Sequence, residues 1–142
     1  MVPKEVFLSH SERDHAFAEE LAQTLQKQGI PTWYSRRRIL GASQWHDEIG
    51  KALQRCDWFA IVLSPWAVES IWVKRELLFA LNQERFEGRI VPVLYQPCEL
   101  VQLSWTLPSF QIVDFTKTSR EDSYRDLLRI WGLRFEPPGR RS

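Results

Sequence analysis

The sequence has almost no net charge and no long apolar run. Its 19 Lys and Arg residues are nearly balanced by 18 Asp and Glu residues over 142 positions, a formal net charge of +1. A general nucleic-acid binder needs a basic excess to neutralise phosphates, so this balance argues against that class. No uninterrupted apolar stretch approaches the ~20 residues of a membrane-spanning helix. We therefore expect neither a nucleic-acid partner nor a membrane partner.

Cysteines are few, and the start of the chain has no targeting pattern. Cys56 and Cys98 are far apart and show no Cys-x-x-Cys spacing. Each lies next to a predicted strand, so both are expected to be buried, reduced thiols. Residues 1–5 contain no basic region followed by an apolar run, so no secretory signal is expected. Together these features favour a cytoplasmic location.

Several common catalytic motifs are missing. The sequence contains no Gly-x-Gly-x-x-Gly and no Gly-Lys-Ser/Thr loop, which argues against a dehydrogenase or a P-loop enzyme. There is no Gly-x-Ser-x-Gly elbow for a serine hydrolase. His10, His15 and His46 have no ligand-like spacing with Cys or acidic residues. We therefore expect no metal site and no bound cofactor.

What the sequence does contain is a regular alternation of apolar strands and amphipathic helices. Its 44% hydrophobic and 26% charged residues are typical of a globular domain. Strands alternating with helices predict a flavodoxin-like three-layer α/β sandwich, with a five-stranded parallel sheet in the order 2-1-3-4-5 and helices on both faces. We expect one domain over residues 4–135 and a Pro- and Gly-containing, linker-like tail over 136–142. The predicted strands are 6–8, 30–34, 58–63, 89–95 and 111–115, and the predicted helices are 14–28, 43–55, 70–84 and 120–131. The strand at 58–63 is apolar on both faces, as expected of a central strand covered by helices on each side, and residues 96–109 form a longer, Pro-interrupted connection. Trp45 is expected to face inward from the second helix, and Ser119 is expected to cap the last one.

This topology predicts where a ligand binds. In open parallel sheets, ligands bind beyond the carboxyl ends of the strands, where the strand order reverses. Here that point lies between the first and third strands, beside the loops at 9–12 and 64–66. The helix that follows carries Trp72 and Glu76, which are four residues apart and therefore share one face. They form either a ligand site, with a stacking plane beside a carboxylate, or a structural pair in which Trp72 is core and Glu76 pairs with Lys74 or Arg75 on a solvated face.

An ordered series of short segments resembles the boxes of Toll/interleukin-1 receptor (TIR) domains. The third helix is similar to the Ser-x-Trp-x-x-x-Glu-Leu helix of that family. The resemblance extends over residues 4 to 132, so residues 4–135 are identified as a TIR domain. The segments that carry it are Val6-Phe7-Leu8-Ser9-His10-Ser11-Glu12-Arg13-Asp14, Gly29-Ile30-Pro31-Thr32-Trp33, Gly41, Phe59-Ala60-Ile61-Val62-Leu63-Ser64-Pro65, Ser70-Ile71-Trp72-Val73-Lys74-Arg75-Glu76-Leu77 and Ile90-Val91-Pro92-Val93-Leu94.

The resemblance implies an activity. Many TIR domains of bacteria, plants and axons hydrolyse or cyclise NAD, and their essential Glu corresponds to Glu76. The resemblance therefore implies an NAD+ nucleosidase in defence or cell-death signalling, with Glu76 catalytic and NAD as substrate rather than cofactor. It also implies a set of substrate-binding residues, namely Trp72, His10, Ser11, Phe7, Ser35, Arg38 and Ile39.

The resemblance leaves a second function open. Animal receptor and adaptor TIR domains are mainly scaffolds, so a non-catalytic interaction module in signal transduction is the alternative. Both functions imply self-association, with the loop Ser35–Ser43 as the contact surface, and a sensor domain or protein as a further partner. The basic run at 36–38 is either a contact for a pyrophosphate or an acidic protein surface, or a solvated loop. The sequence does not decide between hydrolysis and cyclisation.

Overall fold

The fold is a parallel sheet between two layers of helices. The computed structural model describes residues 2–35, 42–117 and 119–137. The five strands pair in parallel in the order β2-β1-β3-β4-β5, as predicted. The strands are β1 (Val6–Ser9), β2 (Thr32–Tyr34), β3 (Trp58–Leu63), β4 (Ile90–Leu94) and β5 (Val113–Asp114). The helices are α1 (His15–Lys27), α2 (Ala42–Arg55), α3 (Ile71–Leu81), α4 (Leu100–Leu103) and α5 (Arg120–Arg129).

The central strand is β3, and every one of its residues is buried. Its six apolar residues in a row leave no polar face, which suits a strand covered by helices on both sides. Successive side chains of a strand point to opposite faces of the sheet, so they contribute to two separate cores. The first core packs against α1 and α5 and includes Leu8, Ala60 and Val93. The second packs against α2 and α3 and includes Phe7 and Ile61.

Local signals at the helix ends agree with the backbone. Gly29 follows α1 with φ of +88°, a left-handed conformation that glycine adopts without strain. Ser70 precedes α3, and its hydroxyl accepts a hydrogen bond from the backbone N–H of Val73 at 3.2 Å. Ser119 caps α5 in the same way, with Asp122 as the donor. These side chains satisfy donors that the first turn of a helix leaves free.

The structure corrects several of the sequence-based boundaries. Strands β2 and β5 each begin two residues later than predicted, and α5 ends at Arg129 rather than at residue 131. The third helix ends at Leu81 rather than at residue 84. Asn82 ends it, because its side-chain amide donates to the carbonyl of Leu78 at 2.8 Å, which offers the backbone an alternative to a further helical turn. The connection at 96–109 is less irregular than expected, since it contains α4 and buries Leu103 and Leu107 in the second core. Within the described residues, no helix combines the length and apolarity needed to cross a membrane.

The two thiols differ in burial. Cys56 is buried and reduced, as predicted, and burial raises the pKa of its thiol to about 12. Cys98 is also reduced but only half-buried, so the expectation of a buried thiol is wrong at this position. It follows β4 in the connection that leads to α4, where the chain runs along the surface.

Candidate functional site

Glu76 is a buried carboxylate in the middle of α3. Glu76 is only 6% exposed, and glutamate is rarely buried to this extent. Ser9, the last residue of β1, donates a hydrogen bond from Oγ to Glu76 Oε1 at 2.7 Å. The solvated-face interpretation of Glu76 is therefore wrong. The carboxylate points at the carboxyl end of β1, which is the edge of the sheet where the topology predicts a ligand.

A pocket of about 390 Å³ opens between α2 and α3 beside this carboxylate. Its wall is mainly apolar, with Glu76 as its acidic group, which is the composition usual for small-molecule sites. From α2 the lining includes Trp45, Ile49 and Leu53, and from α3 it includes Trp72, Glu76 and Phe79.

Two indoles shape the wall of this pocket. Trp45 and Trp72 meet edge to face, with ring centroids 4.6 Å apart and planes at 88°. Such a pair gains about 0.5–1.5 kcal/mol beyond the area it buries. The guanidinium of Arg75 lies 4.9 Å from the ring centroid of Trp72. Trp72 therefore already accepts a cation on its π system, which is a property that a ligand with a cationic ring requires.

A second buried carboxylate lies at the same edge of the sheet. Asp14 is 2% exposed, and its Oδ2 accepts hydrogen bonds from Ser11 Oγ at 2.9 Å and from Ser64 Oγ. Burial raises the pKa of the Asp14 carboxyl above its ordinary value, although both hydroxyls act in the opposite direction. Asp14 is not among the residues that line the pocket.

The predicted site residues divide into groups. Glu76 and Trp72 line the pocket together, one turn apart on α3. Phe7 lies in the second core, stacked on Phe59 with ring planes at 6°, and is 1% exposed. His10 is buried on the other side of β1, with its ring 5.6 Å from that of His15.

The remaining predicted residues lie around the ends of β1 and β2. Ser11 is buried and bonded to Asp14. Ser35 is buried at the end of β2, and its hydroxyl has no hydrogen-bond partner within the described residues. Arg38 and Ile39 fall outside the described residues, as does most of the loop Ser35–Ser43. The substrate role of all these residues stays a prediction.

Sequence reasoning missed three residues of the site. Ser9 and Ser64 belong to the loops named from topology, but nothing in their spacing indicated that each bonds a buried carboxylate. Trp45 was predicted to face inward from α2, yet its contact with Trp72 depends on how the two helices pack. The one feature of the sequence that could have indicated Ser9 and Ser64 is their position at the carboxyl ends of two predicted strands. In the parts of the chain that the structure describes, no three His, Cys, Asp or Glu side chains are grouped so as to hold a metal ion.

Comparison with protein-family models identifies one family. The TIR domain family model matches residues 6–128. The TIR domain of the Toll-related receptor TRR-2 from Hydra magnipapillata is similar in structure, with a TM-score of 0.71 at 22% identity, covering 87% of this chain and 94% of that one.

Two further solved structures share the fold. The TIR domains of the activated Roq1 resistosome, which recognises the pathogen effector XopQ, give a TM-score of 0.63 at 19% identity, with 91% and 98% of the two chains covered. A prokaryotic SEFIR domain gives 0.68 at 16% identity, with 98% and 99% covered. At these identities the likeness concerns the fold alone. No curated protein sequence matches the chain.

Proposed function

Because the family match spans residues 6–128, this chain belongs to the TIR domain family, and we propose that it is an NAD-cleaving member of that family. Membership alone leaves two functions open, since TIR domains include both NAD-cleaving enzymes and scaffolds. The observation that carries the proposal is the buried Glu76 carboxylate, held by Ser9 at the edge of a pocket walled by Trp72. Burying a carboxylate this deep costs stability, and proteins keep such groups mainly at functional sites.

The proposed reaction breaks the bond between the ribose anomeric carbon and the nicotinamide nitrogen. Nicotinamide in NAD is already a pyridinium cation, so it leaves as a neutral ring with the bonding electron pair and needs no general acid. This differs from ordinary glycosides, which require a second carboxyl group to protonate the leaving oxygen. One carboxylate is therefore enough. Glu76 stabilises the positive charge that develops on the ribose ring, in a site from which most water is excluded.

The fate of the ribosyl cation determines the product. Attack by water, with loss of one proton to solvent, gives ADP-ribose. Attack by a nucleophile of the same molecule gives a cyclic isomer, and this nucleophile then loses one proton to solvent. Both routes release one nicotinamide per NAD, so nicotinamide is the product that measures the proposed activity.

The pocket wall supplies an aromatic surface and a carboxylate for the pyridinium ring of the substrate. Trp72 already has a guanidinium at 4.9 Å, so a pyridinium ring is a chemically similar occupant of that surface. Trp45 and Phe79 extend the apolar wall and reduce the access of water to Glu76. We assign Glu76 as the catalytic residue and Trp72 as a substrate-binding residue on this basis.

Self-association is part of the proposal. The Roq1 TIR domains belong to a resistosome, an assembly of several chains. By analogy we propose that this chain acts as an oligomer, through the loop Ser35–Ser43, in signalling or innate immunity, with a sensor domain or protein as the trigger. NAD as a substrate fits a cytoplasmic site of action. Activity is then expected to rise with protein concentration.

The test is release of nicotinamide from NAD by the purified chain, clustered on beads. Wild type is compared with Glu76→Gln, which keeps the size of the side chain and removes its charge. Glu69→Gln is the matched control, because Glu69 is an exposed glutamate just before α3. We expect turnover in wild type and Glu69→Gln and none in Glu76→Gln. Clustered, folded wild type without nicotinamide release contradicts the proposal.

The second candidate is a non-catalytic interaction module. The observation that favours it is Trp105, an indole that is 82% exposed in the turn after α4, with Val101 exposed in the same segment. Large exposed aromatic side chains are enriched at protein contacts. Both functions predict association, so nicotinamide release separates them, and a scaffold releases none. Sedimentation at high concentration then tests the surface, since a scaffold that uses Trp105 loses association in Trp105→Ala.

A further inference from the structure

Two serine–carboxylate contacts lie side by side at the carboxyl ends of β1 and β3. In one, Ser9 donates to Glu76 at 2.7 Å. In the other, Ser11 and Ser64 both donate to Oδ2 of Asp14. Ser9 and Ser11 are two residues apart, so the end of β1 and the residues directly after it supply a serine to each contact. Only the first contact reaches the pocket.

The second contact connects to the start of α3 through a continuous series of hydrogen bonds. Ser64 Oγ, which donates to Asp14, also accepts from the backbone N–H of Ala67 at 3.0 Å. The carbonyl of Ala67 accepts from the N–H of Ser70 at 3.1 Å. Ser70 in turn caps α3 through Val73 at 3.2 Å. The first turn of α3 is therefore attached to Asp14 on one side.

The series closes on itself through Glu76. From the cap at Ser70 the helix continues to Glu76, whose carboxylate returns to Ser9. From Ser9 the chain continues to Ser11 and back to Asp14. Asp14 and Glu76 are therefore linked along two paths, one through Ser64 and the turn before α3 and the other through Ser9 and Ser11.

The burial of Asp14 at this position costs free energy of folding. It is 2% exposed, and two neutral hydroxyls are its hydrogen-bond donors. Its Oδ1 has no hydrogen-bond partner among residues 2–35, 42–117 and 119–137. Burying a carboxyl group with one oxygen unsatisfied costs free energy, so a purely structural role would be filled better by a neutral residue.

We propose that Asp14 is a positioning residue, which sets where α3, and therefore Glu76, lies relative to Ser9. Asp14 touches neither the pocket nor the substrate and acts through Ser64 and the turn that leads into α3. This inference rests on the proposed function, because it assigns a role toward the catalytic carboxylate. It also predicts a change at Glu76 that does not depend on any activity.

The experiment compares Asp14→Ala and Ser64→Ala with wild type. Asp14→Asn tests rescue, because an amide oxygen still accepts hydrogen bonds from both serines. Ser119→Ala is the matched control, since it removes the equivalent cap from α5, away from Glu76. The first readout is the ¹³C chemical shift of the Glu76 side-chain carboxyl in the ¹³C-labelled chain. The signal is assigned by its absence in Glu76→Gln. The second is kcat and KM for nicotinamide release by the clustered chain.

We expect Asp14→Ala and Ser64→Ala to move the Glu76 carboxyl signal, and Asp14→Asn and Ser119→Ala to leave it in place. Displacement of a catalytic group by part of an ångström costs roughly ten- to a hundredfold in rate. We therefore expect kcat to fall about tenfold in Asp14→Ala and Ser64→Ala, with KM changed less than about twofold. If Asp14→Ala does not fold, Ser64→Ala gives the same two readouts.

The outcomes separate this inference from the proposed function. If wild type releases no nicotinamide, the proposed function fails, and the Glu76 signal still decides whether Asp14 positions it. If wild type is active but neither the signal nor kcat changes in Ser64→Ala and Asp14→Ala, the positioning role is overturned and the activity stands. Equal changes in Ser119→Ala would trace the effect to general stability and would also overturn the inference.

Discussion

The hydroxyl of Ser9 lies 2.7 Å from Oε1 of Glu76, although 67 positions separate the two residues in the chain. This contact joins the end of a central strand to the middle of α3 and sets the direction in which the carboxylate points. It places the acidic group beside the two indoles of the pocket.

Ser9→Ala removes the donor to this carboxylate. A buried acceptor that loses its donor costs about 1–3 kcal/mol, so we expect a lower free energy of unfolding by that amount. Urea denaturation measures it, with Ser104→Ala as the control, because Ser104 bonds only within a half-buried turn. If both variants lose the same free energy of unfolding, the buried Ser9–Glu76 hydrogen bond does not stabilise the fold more than an ordinary turn contact does.

Trp72→Ala removes one side of the edge-to-face pair with Trp45. We expect a higher KM for NAD and a loss of stability that includes about 0.5–1.5 kcal/mol for the aromatic contact. Trp72→Phe keeps an aromatic ring and is expected to retain most of both properties. Leu78→Ala is the control, since Leu78 is exposed on α3 and does not line the pocket. Nicotinamide release and thermal unfolding are the measurements, and an unchanged KM in Trp72→Ala would argue against a substrate role.

Asp14→Asn is expected to change how stability depends on pH. The pKa of Asp14 is raised by burial above its ordinary value of 3.8, so the folded state holds its proton more strongly than the unfolded state does. Its contribution to stability is complete below that value and is lost as the pH rises through the folded-state pKa. We expect Asp14→Asn to gain stability relative to wild type as the pH increases above 3.8. Urea midpoints at several pH values test this, and a difference that shrinks with rising pH contradicts it.

The two thiols are expected to react at different rates. Burial raises the pKa of Cys56 to about 12, so almost no thiolate forms at neutral pH. The pKa of Cys98 is also raised by burial, but its side chain is half-buried and therefore accessible. Alkylation followed by mass spectrometry should label Cys98 first and Cys56 only after addition of denaturant. Equal labelling rates in the folded chain would contradict this.

The sequence predicted most elements of the fold because the spacing of apolar residues indicates which face of a helix or strand is buried. The run at 58–63 was predicted as a strand covered on both faces, and all of its residues are buried. Ser119 was predicted to cap the last helix, and it does. The third helix was predicted too long, because the polar residues at 82–84 fit either a helix end or a loop, and the Asn82 side chain ends the helix at this point.

The site was predicted only in outline. The spacing of Trp72 and Glu76 placed them on one face of a helix, and strand order placed that helix at the ligand edge of the sheet. Whether Glu76 faced solvent or the sheet was left open, since a helical repeat does not define the rotation of a helix whose apolar face is broad. Burial of Glu76 answers that question.

By itself the sequence determined the order of strands and helices and their parallel arrangement, and it predicted the edge of the sheet where a ligand is expected. These properties depend on local periodicity and on the short connections between neighbouring elements. The tertiary structure alone decided which distant side chains meet: Ser9 with Glu76, Trp45 with Trp72, and Asp14 with Ser64. The physical reason is that such contacts depend on how helices rotate and pack against the sheet, and many residues contribute to that packing at once.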